Sequence, residues 1–307
     1  MSLLSQPHFH NEEAAIARLE AIVWPNGPHC PRCGGFDRIT VVNGGRAGLR
    51  RCGPCKREFT VTVGTIFERS HVKLHKWFQA AHLMASSKKS ISAHQLHRTL
   101  KVTYKTAWFM EHRLREAMRE MHPTAPLGGE GKTVEFDETY VGGKERNKHV
   151  SKRNKKNIGG AGKEAVFSLV ERGGKVRSHH IPNVSAKTLR PIIDQQIASA
   201  TRTMSDDGGA RVLHGSPGHH SVNHSINEYV RGDIHTNTIE SYFAIMKRGI
   251  TGVYHHVSEQ HLKRYLAEFD FRYNQRAPLG IDDEVRADNL VRGIVGKRLT
   301  YRDSSQW

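Results

Sequence analysis

Two pairs of cysteines constrain this chain more tightly than anything else in it. Cys30 and Cys33 form one Cys-x2-Cys pair, Cys52 and Cys55 form the second, 18 residues separate the pairs, and there is no other cysteine. Each pair presents two thiolates from a tight knuckle, and two knuckles close a tetrahedral four-sulfur site of the kind that holds structural Zn²⁺. Four thiolates leave no coordination position open, so the expected zinc is structural, not catalytic. An iron–sulfur or redox role is the alternative, and disulfides are not expected in a reducing cytosol. The surrounding sequence reads as a small sheet: Ile39 to Val42, a Gly44-Gly45 turn, Leu49 to Arg51, and an alternating Phe59 to Val63. A ribbon this small needs its metal to fold.

The rest of the chain is long enough for two or three domains. Among 307 residues, 47 Lys and Arg face 30 Asp and Glu, a formal charge of +17. That balance favours a polyanionic partner, and nucleic acid is the commonest. An anionic membrane is the rival, disfavoured by a mean hydropathy of −0.59 and by the lack of any run of 18 apolar residues. Met1 to Glu13 shows no cationic-then-apolar signal pattern, so a soluble cytoplasmic protein is expected.

Ahead of the ribbon, Glu12 to Val23 reads as a helix with Ala15, Leu19 and Ile22 on one stripe, broken by Trp24-Pro25-Asn26-Gly27-Pro28. Beyond the ribbon the period becomes helical from Lys73, with Leu74, Trp77, Phe78 and Ala81 on one face. Ser92 and Gln95 make a capping box before Leu96 and Leu100. Lys101-Val102-Thr103 is a turn, and a second helix runs from Tyr104 to about Arg119. Two helices joined this way resemble a helix-turn-helix, whose second helix carries Tyr104, Lys105, Thr106, His112, Arg113 and Arg115. Of these, Tyr104, Lys105, Thr106 and Arg113 are taken as DNA contacts; an ordinary helical hairpin is the alternative. His122 to Gly131, rich in Pro and Gly, reads as a linker. The expected domains are 1–65, 66–122 and 130–280, with 281–307 a weakly patterned tail.

The third domain opens on an alternating strand, Val134 to Val141. Lys144 to Lys163 holds eight Lys or Arg and one Glu, and reads as a mobile basic loop. Ala165 to Val170, Gly173-Gly174 and Val176 to Ile181 form a hairpin. Ser185 caps a helix through Ala200 with Leu189, Ile192, Ile193 and Ile197 inward. Thr203 to Ser205 is a short strand, and Asp207 to Asp233 is polar and His-rich without periodicity. A helix from Asn237 to Ile250 buries Ile239, Phe243, Met246 and Ile250. A last helix, capped by Ser258, buries Leu262, Tyr265, Leu266 and Phe269.

Three acids in this frame point to chemistry. Val134 and Phe136 share one strand face, leaving Glu135 and Asp137 together on the other, where an acid is costly unless paired or metal-bound. Asp206 ends a strand, and Asp207 beside it competes for the same role. Glu240, 34 residues after Asp206, lies next to the apolar stripe of its helix. Lys247 follows two turns later on the same side, too far for an ordinary i+4 bridge and well placed for phosphate. Carboxylates from two strands and a helix can hold two divalent ions about 4 Å apart, the arrangement that cuts and joins phosphodiesters. Mg²⁺, or Mn²⁺ in its place, suits such an all-carboxylate set. The spacings of His219-His220, His224, His235 and His255-His256 match no tight ligand set. His235, Asn237 and Thr238, just before Glu240, are expected to shape the site.

Several runs together resemble a known group. They are Cys30-Pro31-Arg32-Cys33 with Cys52 and Cys55, Tyr104-Lys105-Thr106-Ala107-Trp108, and Phe136-Asp137-Glu138-Thr139-Tyr140-Val141-Gly142-Gly143-Lys144. Asn223-His224-Ser225, His235-Thr236-Asn237-Thr238-Ile239-Glu240 through Lys247-Arg248-Gly249, Tyr254-His255-His256-Val257-Ser258 and Phe269-Asp270-Phe271-Arg272-Tyr273-Asn274 continue them. On these the chain resembles insertion-sequence transposases of the ISXO-like group, with an N-terminal zinc ribbon and a DDE domain, bacterial relatives of the eukaryotic Merlin superfamily. The resemblance implies an α+β multidomain protein: zinc ribbon, helix-turn-helix-like region and ribonuclease-H-like catalytic domain. Asp137 would lie on the first strand, Asp206 after the fourth and Glu240 on a later helix, with Lys247 and Arg248 on DNA. It implies cleavage and joining at terminal inverted repeats, by cut-and-paste or replicative movement, in a homo-oligomer assembled on end and target DNA in the bacterial nucleoid. The family usually follows its second Asp with Glu and then an aromatic, whereas here Asp207-Gly208-Gly209-Ala210 follows Asp206. A decayed or domesticated DNA-binding regulator, and a metal-dependent nuclease or resolvase, are the competing readings.

Overall fold

The computed structural model describes residues 3–121, 123, 125–143, 145–153, 160–210, 212–213 and 215–300. The chain divides into two compact units, Met1–Arg119 with Gly280–Trp307, and Glu120–Leu279.

The first unit begins with α1 (Glu12–Val23), capped by the Asn11 side chain, which accepts from the Ala14 amide at 2.8 Å. Its stripe buries Ala15 and Leu19 but leaves Ile22 half-exposed. The ribbon follows as an antiparallel sheet of β1 (Ile39–Val41), β2 (Arg50–Cys52) and β3 (Glu58–Phe59). Its third strand is shorter than the expected Phe59 to Val63, because the chain turns at Thr60, whose carbonyl accepts from the Val63 amide. Trp24 packs edge-on against Phe59, with ring centroids 5.9 Å apart, and Glu20 receives Arg50 through two bonds of 3.0 and 2.6 Å.

Next come α2 (Leu74–Ser86), α3 (Ala93–Leu100) and α4 (Tyr104–Met118). Leu74, Trp77, Phe78 and Ala81 are buried as the period requires. Lys73 offers α2 no cap; the Glu12 carboxylate does, accepting from the Leu74 and His75 amides at 2.9 and 3.3 Å. Ser92 caps α3 through the Gln95 amide, Lys101 ends it in the left-handed region, and Thr103 caps α4. Beyond Gly280, where a weakly patterned tail was expected, α9 (Asp283–Arg292), capped by Asp282, packs on α2, α1 and α4. Its few buried side chains, Leu290 and Val291 beside Arg286, explain its weak pattern.

The second unit is a five-stranded sheet in the order β6-β5-β4-β7-β8. β4 (Thr133–Val141), β5 (Glu164–Glu171) and β6 (Val176–Ile181) are antiparallel neighbours; β7 (Arg202–Ser205) and β8 (His219–Ser221) run parallel to β4. Alternation along β4 assigns its two faces. Val134 and Phe136 join Phe167, Leu169, Leu189 and Ile193 under α5 (Ala186–Gln196). On the other face Val141, Val166, Val170 and Val176 meet α7 (Asn237–Gly249) and α8 (Glu259–Asn274). Ile239, Phe243, Met246 and Ile250, then Leu262, Tyr265, Leu266 and Phe269, are all buried there. The helix α5 stops at Gln196, short of the expected Ala200, where Ile197 turns extended beside Leu127. Leu127 is itself buried, so the Pro- and Gly-rich stretch before β4 is in part docked chain. A short α6 (Asp207–Ala210), β8 and the hairpin of β9 (Val230–Arg231) and β10 (Ile234–His235) lie where no periodicity was expected. Much of the basic loop, at 144 and 154–159, falls outside the described residues.

Candidate active site

Asp137 sits in the middle of the central strand, level with Ser168 on β5. On the other side Glu135 pairs with Met204 of parallel β7, and Asp206 follows directly after that strand, close enough for its charge to act on Asp137. Asp206 leaves β7 where the chain turns into α6, and its Oδ1 accepts from the Gly209 amide at 3.0 Å. Asp207 goes elsewhere: its Oδ2 accepts from the Ser225 hydroxyl at 3.2 Å. Between the two competing acids, Asp206 is the one that acts on Asp137.

Glu240 stands in the first turn of α7, exposed, with its Oε1 accepting from the Thr236 hydroxyl at 2.9 Å. Lys247 and Arg248 are exposed in the last turn of α7. Burial, then the charges of Asp206, Glu138 and Glu240, push the Asp137 carboxyl up to about 8, although the Glu138 amide, 2.7 Å from Oδ1, pulls it back. Burial and Asp206 also raise Glu138. The charges of Asp206, Glu138 and Glu240 thus act together on Asp137, and such crowding of like charges favours a bound cation. Glu138 is not among the site residues expected from the sequence, although it stands in the run from Phe136 to Lys144 that carries the resemblance. Among the described residues, two sets of metal-type ligands have every ligand atom within 4.8 Å of the others: the four cysteines, and Glu164, His180 and Glu259. Asp137, Asp206 and Glu240 are spread more widely than that.

Glu135, two residues before Asp137 on the same face, is fully buried. It accepts from the amides of Thr238 and Ile239, from the Thr238 hydroxyl and from Arg172. His235 lies beside this group, its Nδ1 3.0 Å from Arg172 and 3.4 Å from Glu135. His219 stacks on Phe136, and burial followed by His220 lowers its pKa to about 4, so it is a neutral packing group. His180 pairs with Glu164 at 2.7 Å. That contact joins residues 16 positions apart and left no spacing signal in the sequence.

In the ribbon, Cys30 and Cys55 are 3.7 Å apart and Cys33 and Cys52 3.6 Å apart. Zn–S bonds of about 2.3 Å at tetrahedral angles put sulfurs about 3.8 Å apart, so the four thiols fit zinc. Burial disfavours the Cys30 thiolate, but the amides of Cys33 and Arg32, with neighbouring thiols, outweigh it and bring its pKa to about 7.

In the helical pair, Tyr104 and Lys105 are exposed at the start of α4, and Tyr104 stacks on His94 at 4.4 Å. Thr106 is half-buried, its hydroxyl 2.8 Å from that of Thr103. Arg113 does not fit the expected DNA-facing role. It is buried, donates to the carbonyls of Leu299 and Glu68 at 3.2 and 3.3 Å, and lies over the Phe109 ring. Arg115 and His112 are buried as well, with Arg115 bonded to Glu111 at 3.0 Å.

A four-thiol ribbon and a mixed sheet with acids gathered at its centre define a zinc-ribbon protein with a carboxylate-centred α/β unit. Residues 126–274 match the ISXO2-like transposase domain and residues 10–58 the transposase zinc-ribbon domain. A protein of Halobacterium salinarum, described as an uncharacterized protein in transposable element ISH50, is 32% identical over 286 residues, covering 86% of this chain and 91% of that relative. The chain belongs to the ISXO2-like family of insertion-sequence transposases. No solved structure matches it. Among the described residues no helix is long and apolar enough to cross a membrane.

Proposed function

We propose that this chain is an active DNA transposase that binds the terminal inverted repeats of its element and cuts and joins DNA strands at a two-metal centre. The observation that carries the reading is that Asp206, just after β7, and Glu240, on α7, both lie near enough to Asp137 on β4 for their charges to raise its carboxyl. Three antiparallel strands followed by two parallel ones, with the first at the centre, support a ribonuclease-H-like fold for this unit. Asp137, Asp206 and Glu240 would hold Mg²⁺ or Mn²⁺, and a spread wider than a single tight ligand set suits two ions rather than one. Such ions supply an activated oxygen nucleophile, first water and then a DNA 3′-hydroxyl, and stabilise the departing 3′-oxygen.

The chain's own residues divide the remaining work. Lys247 and Arg248, exposed at the end of the helix that carries Glu240, meet phosphates near the reacting strand. Tyr104, Lys105 and Thr106, in the first turn of α4, meet the end DNA; Arg113 instead fastens α4 in place. The zinc ribbon adds a further DNA or protein contact, and two copies of the chain assemble on paired ends. The test is cleavage of the element's own end DNA with Mg²⁺ or Mn²⁺, with wild type beside Asp137→Asn. Metal-dependent release of a 3′-hydroxyl that vanishes in the variant, while end binding persists, is the expected result. Cleavage that survives the substitution places the chemistry elsewhere, and tight binding without cleavage by wild type identifies a domesticated DNA-binding protein.

A further inference from the structure

The three acids come from three separate parts of the fold, and a pair formed by buried Glu135 and half-buried Arg172 touches all of them. The Glu135 side chain, 0% exposed, leaves β4 on the same face as Asp137. Its Oε2 accepts from the Thr238 and Ile239 amides at 2.8 and 2.9 Å, and its Oε1 from the Thr238 hydroxyl at 2.8 Å. These amides belong to the first turn of α7, where helical N–H groups lack partners within the helix. The usual local cap is missing: Thr236, at the cap position, makes no side-chain bond to the backbone, and its hydroxyl donates to Glu240. A side chain from a strand more than 100 residues earlier therefore caps the helix that carries Glu240.

Arg172 completes the arrangement from the residue after β5. Its Nε donates to Glu135 at 2.6 Å, and its terminal nitrogens donate to the carbonyls of Asp233 and His235 at 2.9 and 3.0 Å. The same guanidinium lies 2.9 Å from the Met204 sulfur, two residues before Asp206 on β7. Charge-assisted bonds of this length are both strong and directional. Local caps fix only where a helix starts. A cap supplied by the strand beneath also fixes the helix's height and rotation over that strand.

We infer that Glu135 and Arg172 form a positioning clamp that sets Glu240, and through Met204 the end of β7, in register with Asp137. Neither residue reaches the reacting atoms; they act through the ligands they place. The inference rests on the reading of Asp137, Asp206 and Glu240 as the metal-binding set. Groups that orient metal ligands typically cost 10- to 100-fold in metal affinity when altered.

The test uses the full chain as wild type, Glu135→Gln, Arg172→Lys and Asp137→Asn. Mn²⁺ affinity is read from the paramagnetic resonance of the free ion, and cleavage of end DNA is followed against metal concentration. Thermal unfolding and end binding are measured in parallel. Glu135→Gln keeps the shape but cannot offer two carboxylate oxygens, so it should bind end DNA like wild type. It should need about 10-fold more Mn²⁺ or beyond, and recover part of its cleavage as the metal is raised. Arg172→Lys, which keeps the charge but not the three-way reach, should fall between. If Glu135→Gln does not fold, Arg172→Lys carries the test. An unchanged Mn²⁺ affinity and metal dependence in the folded variants, whatever their melting temperatures, overturns the clamp and leaves a merely structural pair. If Asp137→Asn alters neither Mn²⁺ binding nor cleavage, the metal-site reading itself fails, and the clamp has nothing to position.

Discussion

Asp270 offers the sharpest check on the interior of the second unit. It lies on α8, half-buried, and accepts from the Tyr242 hydroxyl at 2.5 Å, the Ser178 hydroxyl at 2.7 Å and the Ser178 amide at 2.8 Å. Burial pushes its carboxyl up to about 6 from an ordinary 3.8, against the pull of those three donors. Well below pH 3.8 the folded and unfolded chains both carry the proton, and Asp270 exacts no penalty. As pH rises, the unfolded chain releases the proton first while the folded chain keeps it, so stability falls until the folded carboxyl ionises near pH 6. A displacement from 3.8 to about 6 is worth about 3 kcal/mol at roughly 1.4 kcal/mol per pH unit. Asp270→Asn removes this term. Its amide can turn so that oxygen accepts from the Ser178 amide and nitrogen donates to the two hydroxyl oxygens. The assay is urea unfolding of both proteins, followed by far-ultraviolet circular dichroism from pH 4 to pH 7.5. Wild type should lose about 2.5 kcal/mol relative to the variant over that window, most of it before pH 6.5. A difference that stays flat, or that grows in favour of wild type as pH rises, refutes the reasoning, because Asp270 would then be as comfortable charged inside as in water.

Four further outcomes follow from placements already described. Asp206→Asn should abolish end cleavage while Asp207→Asn, which loses only its bond to Ser225, should retain most of it; the reverse in a cleavage gel would reassign the ligand. Arg113→Ala strands two backbone carbonyls in a buried setting and should cost about 2–3 kcal/mol in urea unfolding with little direct effect on DNA contacts. Lys105→Ala should leave stability alone and, if it neutralises one phosphate, lower the slope of log affinity against log salt by about 1. Cys33→Ser should release the ribbon metal, measurable with a zinc-sensitive dye, and loosen the sheet of β1 to β3 while the carboxylate unit keeps its melting transition.

How legible the molecule is depends on the range over which each signal acts. The ribbon thiols, the faces of α2, α7 and α8 and the alternation of β4 are written in spacings of a few residues, and the fold repeats them closely. The polar strand His219–Ser221 is a strand only because β7 pairs with it in parallel, and nothing in three half-buried polar residues announces that. α9 carries a clear Asp282 cap but only a thin apolar stripe, so its packing partner decides it. Charged residues on a helix read as surface, and Arg113 went astray on that rule; its partners are carbonyls 45 and 186 residues away. Glu135 was noticed as an acid on the Asp137 face, yet its partners lie 37 and 103 residues along the chain. The approach of Asp206 to Asp137 depends on β7 lying beside β4, which no spacing encodes.

The same range argument bears on the departure after Asp206. The family usually places Glu and then an aromatic where this chain has Asp207-Gly208-Gly209-Ala210, and sequence alone admits a decayed copy. The backbone gives these glycines a purpose. A Cβ on Gly209 would stand 2.5 Å from the Ser205 Cβ and 2.7 Å from the Phe136 ring, so the turn at the end of β7 closes this tightly only without a side chain. That turn is capped by Asp206 itself, through the Gly209 amide. A Cβ on Gly208 would come within 3.2 Å of Asp206 Oδ1 and 3.4 Å of Glu138 Oε1, and so crowd the acids directly but less severely. Gly209→Ala should therefore overpack the turn by about 1–3 kcal/mol and shift Asp206 away from Asp137. End cleavage should fall steeply and end binding should hold, with Gly208→Ala losing less of each. Misplacing a reacting geometry by about 1 Å commonly costs about 100-fold. A Gly209→Ala protein that is destabilised but cleaves at the wild-type rate would show that the turn does not hold Asp206 for catalysis, and the glycines would then be drift.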